Sequence, residues 1–137
     1  MTMNTKMASA IQILCFIAYV DEQSTHSEAI AKSLKTNPVV VRKLLKLMEQ
    51  QGLVYLRQGR NGGVELAHDV ENITLAQVYQ ALETEQGLFS LREQNNERCP
   101  VARSMKGSLD PIFDAANSAV IASLGQTTLA DLLNKVR

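Results

Sequence analysis

The sequence is poor in aromatic residues and has no long hydrophobic run. It contains no tryptophan, three tyrosines and three phenylalanines, so aromatics make up 4% of its 137 residues. This composition favours an aliphatic, mostly helical core over an aromatic-rich β-sandwich. The longest apolar run, Ile13 to Val20, is far shorter than the roughly 20 residues that span a bilayer. Because no signal peptide is visible and only two cysteines occur, a reduced, cytoplasmic protein without a membrane partner is expected.

Histidine is also scarce, with two residues in the chain. His26 and His68 are far apart and have no cysteine or carboxylate at metal-ligand spacing, so no metal site is expected. No Ser/His/Asp or Cys/His arrangement is evident. The glycine-rich stretch at residues 59–63 lacks the spacing of a Walker phosphate loop, and no helix starts after it. The sequence therefore predicts that the protein is not an enzyme.

Positive charge is concentrated in one part of the chain, although the formal net charge is +0. Residues 1–67 carry eight Lys and Arg against five Asp and Glu, whereas residues 68–137 carry six against nine. From Lys35 to Arg60 there are six basic residues and one acidic residue, Glu49. A neutral protein with one basic segment can present a positive face to a polyanion.

Two helices joined by a short turn are predicted in this basic region. An amphipathic helix over residues 5–20 precedes them, and Thr25 and Glu28 then have the capping-box spacing that marks a helix start. After the turn, Asn37 is a good N-cap and Pro38 fits the first position of a further helix. Its apolar residues recur at helical spacing and define a core face: Val41, Leu44, Leu45 and Met48.

A β-hairpin is predicted directly after that helix. Leu53 to Arg57 is rich in strand-forming residues, and Val64 and Leu66 alternate with Glu65 on the return strand. Asn61-Gly62 predicts a type I′ turn, because both central positions of such a turn need positive φ.

The order of helix, helix, short turn, basic helix and hairpin is that of a winged helix-turn-helix, whose second motif helix enters the DNA major groove. Val39 is placed to contact a thymine methyl, Arg42 or Lys43 to reach base acceptors, and Lys46 to reach phosphate. An arginine on a slim, glycine-rich wing can enter the minor groove. The predicted DNA-binding residues are Asn37, Val39, Arg42, Lys43, Lys46, Arg57, Arg60, Asn61 and Gly62.

Two other interpretations of the basic face remain open. A charged helix face is commonly just a solvated face, and some winged helices are protein-interaction modules that do not bind DNA. Helix order, turn length, charge segregation and the wing agree with one another, which favours double-stranded DNA as the partner.

The second half of the chain is predicted to be helical around one irregular segment. Thr74 and Gln77 form another capping box. Residues 86–107 are predicted to be irregular, Asp110-Pro111 to start a helix of about fifteen residues, and Thr128 to start the last helix. Small and apolar side chains share one side of the long helix and suit a helix–helix interface. They are Ile112, Ala116, Ala119, Val120 and Ser123.

Nearly the whole chain resembles the Rrf-two (Rrf2) family of bacterial winged-helix regulators, the group of IscR, NsrR and CymR. The resemblance rests on ASAIQILCFIAYV, SEAIAKSLKTNPVVVRKLLKLMEQQGLV, GRNGGVELA, ITLAQVYQALE, NERCPVA and LADLL. It implies a homodimeric transcriptional repressor that reads a dyad-symmetric operator and pairs its subunits through the helix at residues 109–125.

The expected fold is mainly α with a small β-hairpin wing: a winged helix-turn-helix plus a long C-terminal dimerisation helix. Residues 1–85 would form the DNA-binding domain and residues 86–107 a loop or sensor segment. Residues 108–137 would form the dimerisation helix and the C-terminal helix.

Cluster-binding members of the family carry three cysteines in the loop before the dimerisation helix, whereas this chain has only Cys99 there. A cluster takes four ligands, mostly cysteine, so an iron–sulfur cluster is disfavoured and no cofactor is expected. Cys99 is interpreted either as a redox sensor, because Arg98 and Arg103 favour a thiolate and a loop gives access, or as an inert thiol. Cys15 is expected to be a core residue. The effector is not identified by the sequence.

Overall fold

The computed structural model describes residues 3–20, 25–59, 62–83 and 87–136. Its helices are α1 (Met3–Val20), α2 (Ser27–Leu34), α3 (Pro38–Gln50), α4 (Leu75–Leu82), α5 (Pro100–Leu124) and α6 (Leu129–Leu133). Strands β1 (Val54–Arg57) and β2 (Gly63–Leu66) form an antiparallel hairpin, and a short 3-10 helix covers Val70–Asn72. The predicted fold class, mainly α with a hairpin wing and a long C-terminal helix, is confirmed.

An aliphatic core joins the hairpin to every described α-helix except α5, none of whose residues is fully buried. Each fully buried Leu, Ile or Met side chain contributes roughly 1.5–3 kcal/mol to folding. The core face predicted for α3 is confirmed, and its burial fixes which side of this helix faces outward. The core residues include Ala10, Ile13, Leu14, Ile17, Ile30, Val41, Leu44, Leu45, Met48, Leu53, Val54, Val64, Ile73, Val78, Leu82 and Leu129.

The start of α2 differs from the predicted capping box. The N-cap is His26, which makes no side-chain capping hydrogen bond. Thr25 instead forms a β-bridge with Val64: their backbone N–H groups donate to each other's carbonyl oxygens at 3.2 and 2.8 Å. The prediction was wrong because this long-range bridge holds the backbone of Thr25 against β2, two residues before the helix begins at Ser27.

The hairpin is confirmed, but its turn is not the predicted two-residue type I′ turn. Arg57 pairs with Gly63, which does not match the register of a two-residue turn at Asn61-Gly62; Asn61 itself lies outside the described residues. Positive φ occurs at Gly59 (96°) and Gly63 (146°), on either side of the predicted position. The backbone N–H of Gly62 donates to the carbonyl of Gly59 at 3.0 Å and closes the loop.

Helix α5 begins earlier than predicted. It starts at Pro100, which takes the first-turn position where a missing N–H costs nothing, and Pro111 lies inside it. The expectation that residues 86–107 are irregular is therefore wrong for residues 100–107. Asp110-Pro111 resembled a helix start because proline is disfavoured in a helix interior, at a cost of about 3 kcal/mol. The flanking helix continues through it nonetheless.

The segment between α4 and α5 contacts α5 through hydrogen bonds and a ring contact, and α6 packs against the core. Asn117 accepts a hydrogen bond from the Phe89 N–H and donates one to the Phe89 carbonyl, both at 3.1 Å. The Phe89 and Phe113 rings stack with centroids 5.9 Å apart. Leu129, at the start of α6, is fully buried in the aliphatic core. The proposed division of the chain into three segments stays a prediction.

Candidate nucleic-acid interface

Helix α3 presents a polar and basic face because its opposite face is buried. Asn37 caps the helix, its Oδ1 accepting a hydrogen bond from the Val39 N–H at 2.8 Å. Val39 is 50% exposed, although it is a large apolar residue. Lys43 and Lys46 are exposed, and neither takes part in an ion pair among the described residues. This face can therefore offer one apolar contact and two uncompensated ammonium groups.

Arg42, on the same helix, is held by a carboxylate from α2. Its Nη2 lies 3.1 Å from Oε1 of Glu28, and both side chains remain mostly exposed. A hydrogen bond from its own backbone N–H, together with the guanidinium of Arg42, lowers the pKa of the Glu28 carboxyl from its ordinary value. The Glu28 carboxyl is therefore ionised at neutral pH. Its pair with Arg42 links the two helices of the helix-turn-helix.

Arg57 is held in a similar way on the hairpin. Its Nη2 lies 3.3 Å from Oε2 of Glu65 on the neighbouring strand. The Arg57 side chain is 63% exposed and that of Glu65 is 28% exposed. Ion pairs near the surface contribute about 0–1 kcal/mol to stability, so a phosphate can compete with the carboxylate for the exposed guanidinium. Gly62, in the loop of the hairpin, is buried.

A groove of about 410 Å³ separates α3 from the hairpin. Arg42, Arg57 and Gly62, three of the predicted DNA-binding residues, line it, together with Glu28 and Gln58. Lys43, Lys46, Val39 and Asn37 are on α3 or at its start but do not line the groove. Arg60 and Asn61, which were also predicted to bind DNA, lie outside the described residues.

Sequence reasoning missed the two carboxylates on this face. Glu28 was interpreted as half of a capping box and Glu65 as a strand residue without a role. The Glu65 pair has a sequence signal, since a hairpin places residues near one another across its strands. The Glu28 pair has none, because Arg42 is fourteen residues away along the chain.

The face predicted for subunit pairing is only partly covered by the rest of the chain. Ile112 is 60% exposed, Ala119 and Ser123 are exposed, and Ala116 and Val120 are half-buried. A solvated isoleucine among small residues on one side of a long helix leaves an apolar strip on the surface.

A family model described as Rrf2, iron-dependent transcriptional regulator, matches residues 3–135. The chain belongs to the Rrf2 family. It is 35% identical over 131 residues to YwnA of Bacillus subtilis strain 168, a protein assigned as an HTH-type transcriptional regulator, covering 96% of each chain. The chain is a transcriptional regulator with a DNA-binding winged-helix fold, as the resemblance implied.

Solved structures of similar proteins agree with this membership. A protein assigned as DNA-binding superposes with a TM-score of 0.74 at 32% identity, over 93% of this chain and 98% of the other. The fold of CymR, the global cysteine regulator of B. subtilis, matches with a TM-score of 0.71 at 21% identity, over 100% and 99% of the two chains. No helix in the described ranges is long and apolar enough to cross a membrane.

The family is described as iron-dependent, and a protein that binds iron needs side chains that can act as metal ligands. In the part of the chain that the structure describes, no group of three or more His, Cys, Asp or Glu residues is placed to hold a metal ion. Cys99 is the N-cap of α5 and Cys15 is half-buried in α1; both are free thiols. Burial raises the pKa of the Cys15 thiol. These two residues do not supply the four ligands, mostly cysteine, that a cluster takes.

Proposed function

We propose that this Rrf2 regulator is a homodimeric repressor that binds a dyad-symmetric operator, with α3 in the major groove and the hairpin against the adjacent minor groove. The observation that supports this most is the exposed basic face of α3 next to the hairpin, with Arg42 and Arg57 both lining one groove. A repressor of this kind would act in the cytoplasm, where bacterial DNA is found.

Binding to a randomised pool of duplexes tests the proposal. Repeated selection should enrich a sequence with two related half-sites, and affinity should fall by more than about tenfold between 50 and 200 mM salt, because Lys and Arg displace counterions from several phosphates. Salt-insensitive capture of a protein, with no enrichment of any duplex, would instead support the winged-helix interaction module.

Substitution of two lysines on α3 should separate base reading from phosphate contact. Lys43→Ala is expected to weaken operator binding by about 1–3 kcal/mol and to relax the base preference at one position of each half-site. Lys46→Ala should weaken all sequences by the same factor and lower the slope of log affinity against log salt by about 1 per subunit. Titration of both variants with the selected and an unrelated duplex distinguishes these effects. If Lys46→Ala relaxed the base preference and Lys43→Ala weakened all sequences alike, Lys46 would be the base-reading residue and Lys43 the phosphate contact.

The partly uncovered face of α5 supports the homodimer. The residues that the chain leaves exposed there are mostly small, which lets two helices approach closely. In a two-fold pair, each copy would contribute the same strip, so that one apolar surface is covered by another. Two subunits then present two copies of α3 to two half-sites.

We also propose that the protein works without an iron–sulfur cluster, because its donor set falls short of four ligands. The signal would then reach the chain by another route, and Cys99 is the candidate thiol. It stands at the N-cap of a helix of 25 residues and is only half-buried. Cys15 is a poor alternative, since burial disfavours its thiolate.

Thiol chemistry should therefore be confined to one cysteine. Near neutral pH, a maleimide is expected to modify Cys99 well before Cys15, because the raised pKa of the Cys15 thiol keeps it protonated until the pH is higher. Peptide mass mapping after limited labelling checks the order. If peroxide changes DNA binding, Cys99→Ser should abolish that response. A response that persists in the variant would show that Cys99 is not the sensing thiol.

A further inference from the structure

A carboxylate stands on the face that the proposed function turns toward DNA. Glu28 lines the groove between α3 and the hairpin, and its Oε1 accepts a hydrogen bond from Nη2 of Arg42 at 3.1 Å. Its Oε2 lies 3.4 Å from the hydroxyl of Ser27. The side chain is 67% exposed, so burial does not hold it in place.

The position of this carboxylate is unfavourable for binding a polyanion. With α3 in a major groove and the hairpin at the neighbouring minor groove, the sugar-phosphate strand that separates the two grooves has to cross the space between them. Glu28 lies on the wall of that space and repels the phosphates of any duplex, whatever its sequence.

We infer that Glu28 is a specificity-determining residue that acts through Arg42: it aims the guanidinium at base edges and withholds it from the phosphates of unrelated DNA. The inference rests on the proposed function. Glu28 contacts one nitrogen of the guanidinium, and the group has five N–H donors, so others stay available for a base. An arginine that is fixed on one side is better oriented for a bidentate contact to guanine than a freely rotating one.

The two kinds of complex depend on Glu28 in opposite ways. An unrelated duplex is bound almost wholly through phosphates, so removal of the negative charge strengthens that complex. An operator complex gains from the same removal but loses the orientation of Arg42 at a base edge, which specifies the sequence. The ratio of the two affinities is therefore the quantity that Glu28 controls.

Three substitutions separate charge from orientation. Glu28→Gln is isosteric and removes the charge; Glu28→Asp keeps the charge but is too short for the 3.1 Å contact. Glu71→Gln is the matched control, because Glu71 is exposed, lies outside the groove and has no ion pair within the described ranges. Each variant is titrated with a duplex that the wild-type protein selects from a random pool and with an unrelated duplex of equal length.

Glu28→Gln is expected to bind the unrelated duplex about two- to fivefold more tightly, the range that an exposed charge interaction supplies. Its affinity for the selected duplex should not rise, so the ratio of the two falls. Glu28→Asp should leave the unrelated duplex unchanged and weaken the selected one, and Glu71→Gln should change neither.

If a Glu28 variant changed the affinity for both duplexes by the same factor, or if neither Glu28 variant changed any affinity, the inference would be overturned while the proposed function would stand. A wild-type protein that selects no duplex would overturn the proposed function and the inference with it, and this outcome is distinct from the first two. Thermal unfolding of the variants should match the wild-type protein, since Glu28 is exposed.

Discussion

Replacement of Gly62 by alanine is expected to deform the hairpin and to lower DNA affinity by more than tenfold. A Cβ at this position would lie 2.3 Å from the carbonyl oxygen of Arg57 and 2.9 Å from that of Gly59. Both contacts are with backbone, so the loop has to move. Its closing hydrogen bond from the Gly62 N–H to the Gly59 carbonyl would be strained or lost. Overpacking of this kind costs about 1–3 kcal/mol, measurable as a lower midpoint of urea unfolding.

The matched control for Gly62→Ala is Gly107→Ala. Gly107 is an exposed residue within α5, and a Cβ there would meet nothing within 4 Å. Alanine is preferred over glycine in a helix by about 1 kcal/mol, so this variant should be more stable and should bind DNA as the wild-type protein does. If Gly62→Ala keeps both the stability and the DNA affinity of the wild-type protein, the loop between β1 and β2 does not take part in recognition as proposed.

Replacement of Ile112 by glutamate is expected to convert the proposed dimer to monomers and to weaken operator binding by a factor of about 100 or more. Ile112 is exposed in the chain, so the substitution should leave folding intact. In a two-fold pair the new charge would meet its own copy or an apolar surface, and both are unfavourable. Loss of the second half-site removes an avidity factor of about 10² to 10⁴.

The control for Ile112→Glu places the same charge on another face of α5. Ser118 is exposed and lies six residues further along, about 240° around the helix, so Ser118→Glu should stay dimeric. Sedimentation equilibrium measures the mass of each variant against the 15.1 kDa chain. A wild-type protein that sediments as a monomer, or an Ile112→Glu protein that remains a dimer, would show that subunits do not pair through this strip.

Much of the fold could be predicted because its signals are local. Asn37 accepts a hydrogen bond from a backbone N–H two residues away, and Thr74 and Gln77 close a capping box across three. Thr128 opens α6 by the same device. The core face of α3 follows from helical spacing alone. Membership of the Rrf2 family was likewise indicated by contiguous stretches of sequence, and the family model confirmed it.

The predictions that were wrong also rested on local signals, which the rest of the structure overrode. Thr25 has the spacing of a cap, but its backbone pairs with Val64 in a distant strand, and no local pattern reveals that partner. Pro111 is a strong stop signal, yet α5 passes through it from Pro100. The glycines of the hairpin were recognised, but the positions that take positive φ depend on the strand register, which pairs Arg57 with Gly63.

The sequence by itself determined the order of the helices and of the hairpin, although not where α5 begins, and it determined which face of α3 is buried and therefore which basic residues are presented. These are consequences of periodicity and of hydrogen bonds between near neighbours. Only the tertiary structure decided that Arg42 and Arg57 line the same groove and that each is held by a carboxylate. A contact such as that of Glu28 with Arg42 joins residues fourteen apart in two helices, so it exists only once the core has fixed the angle between them.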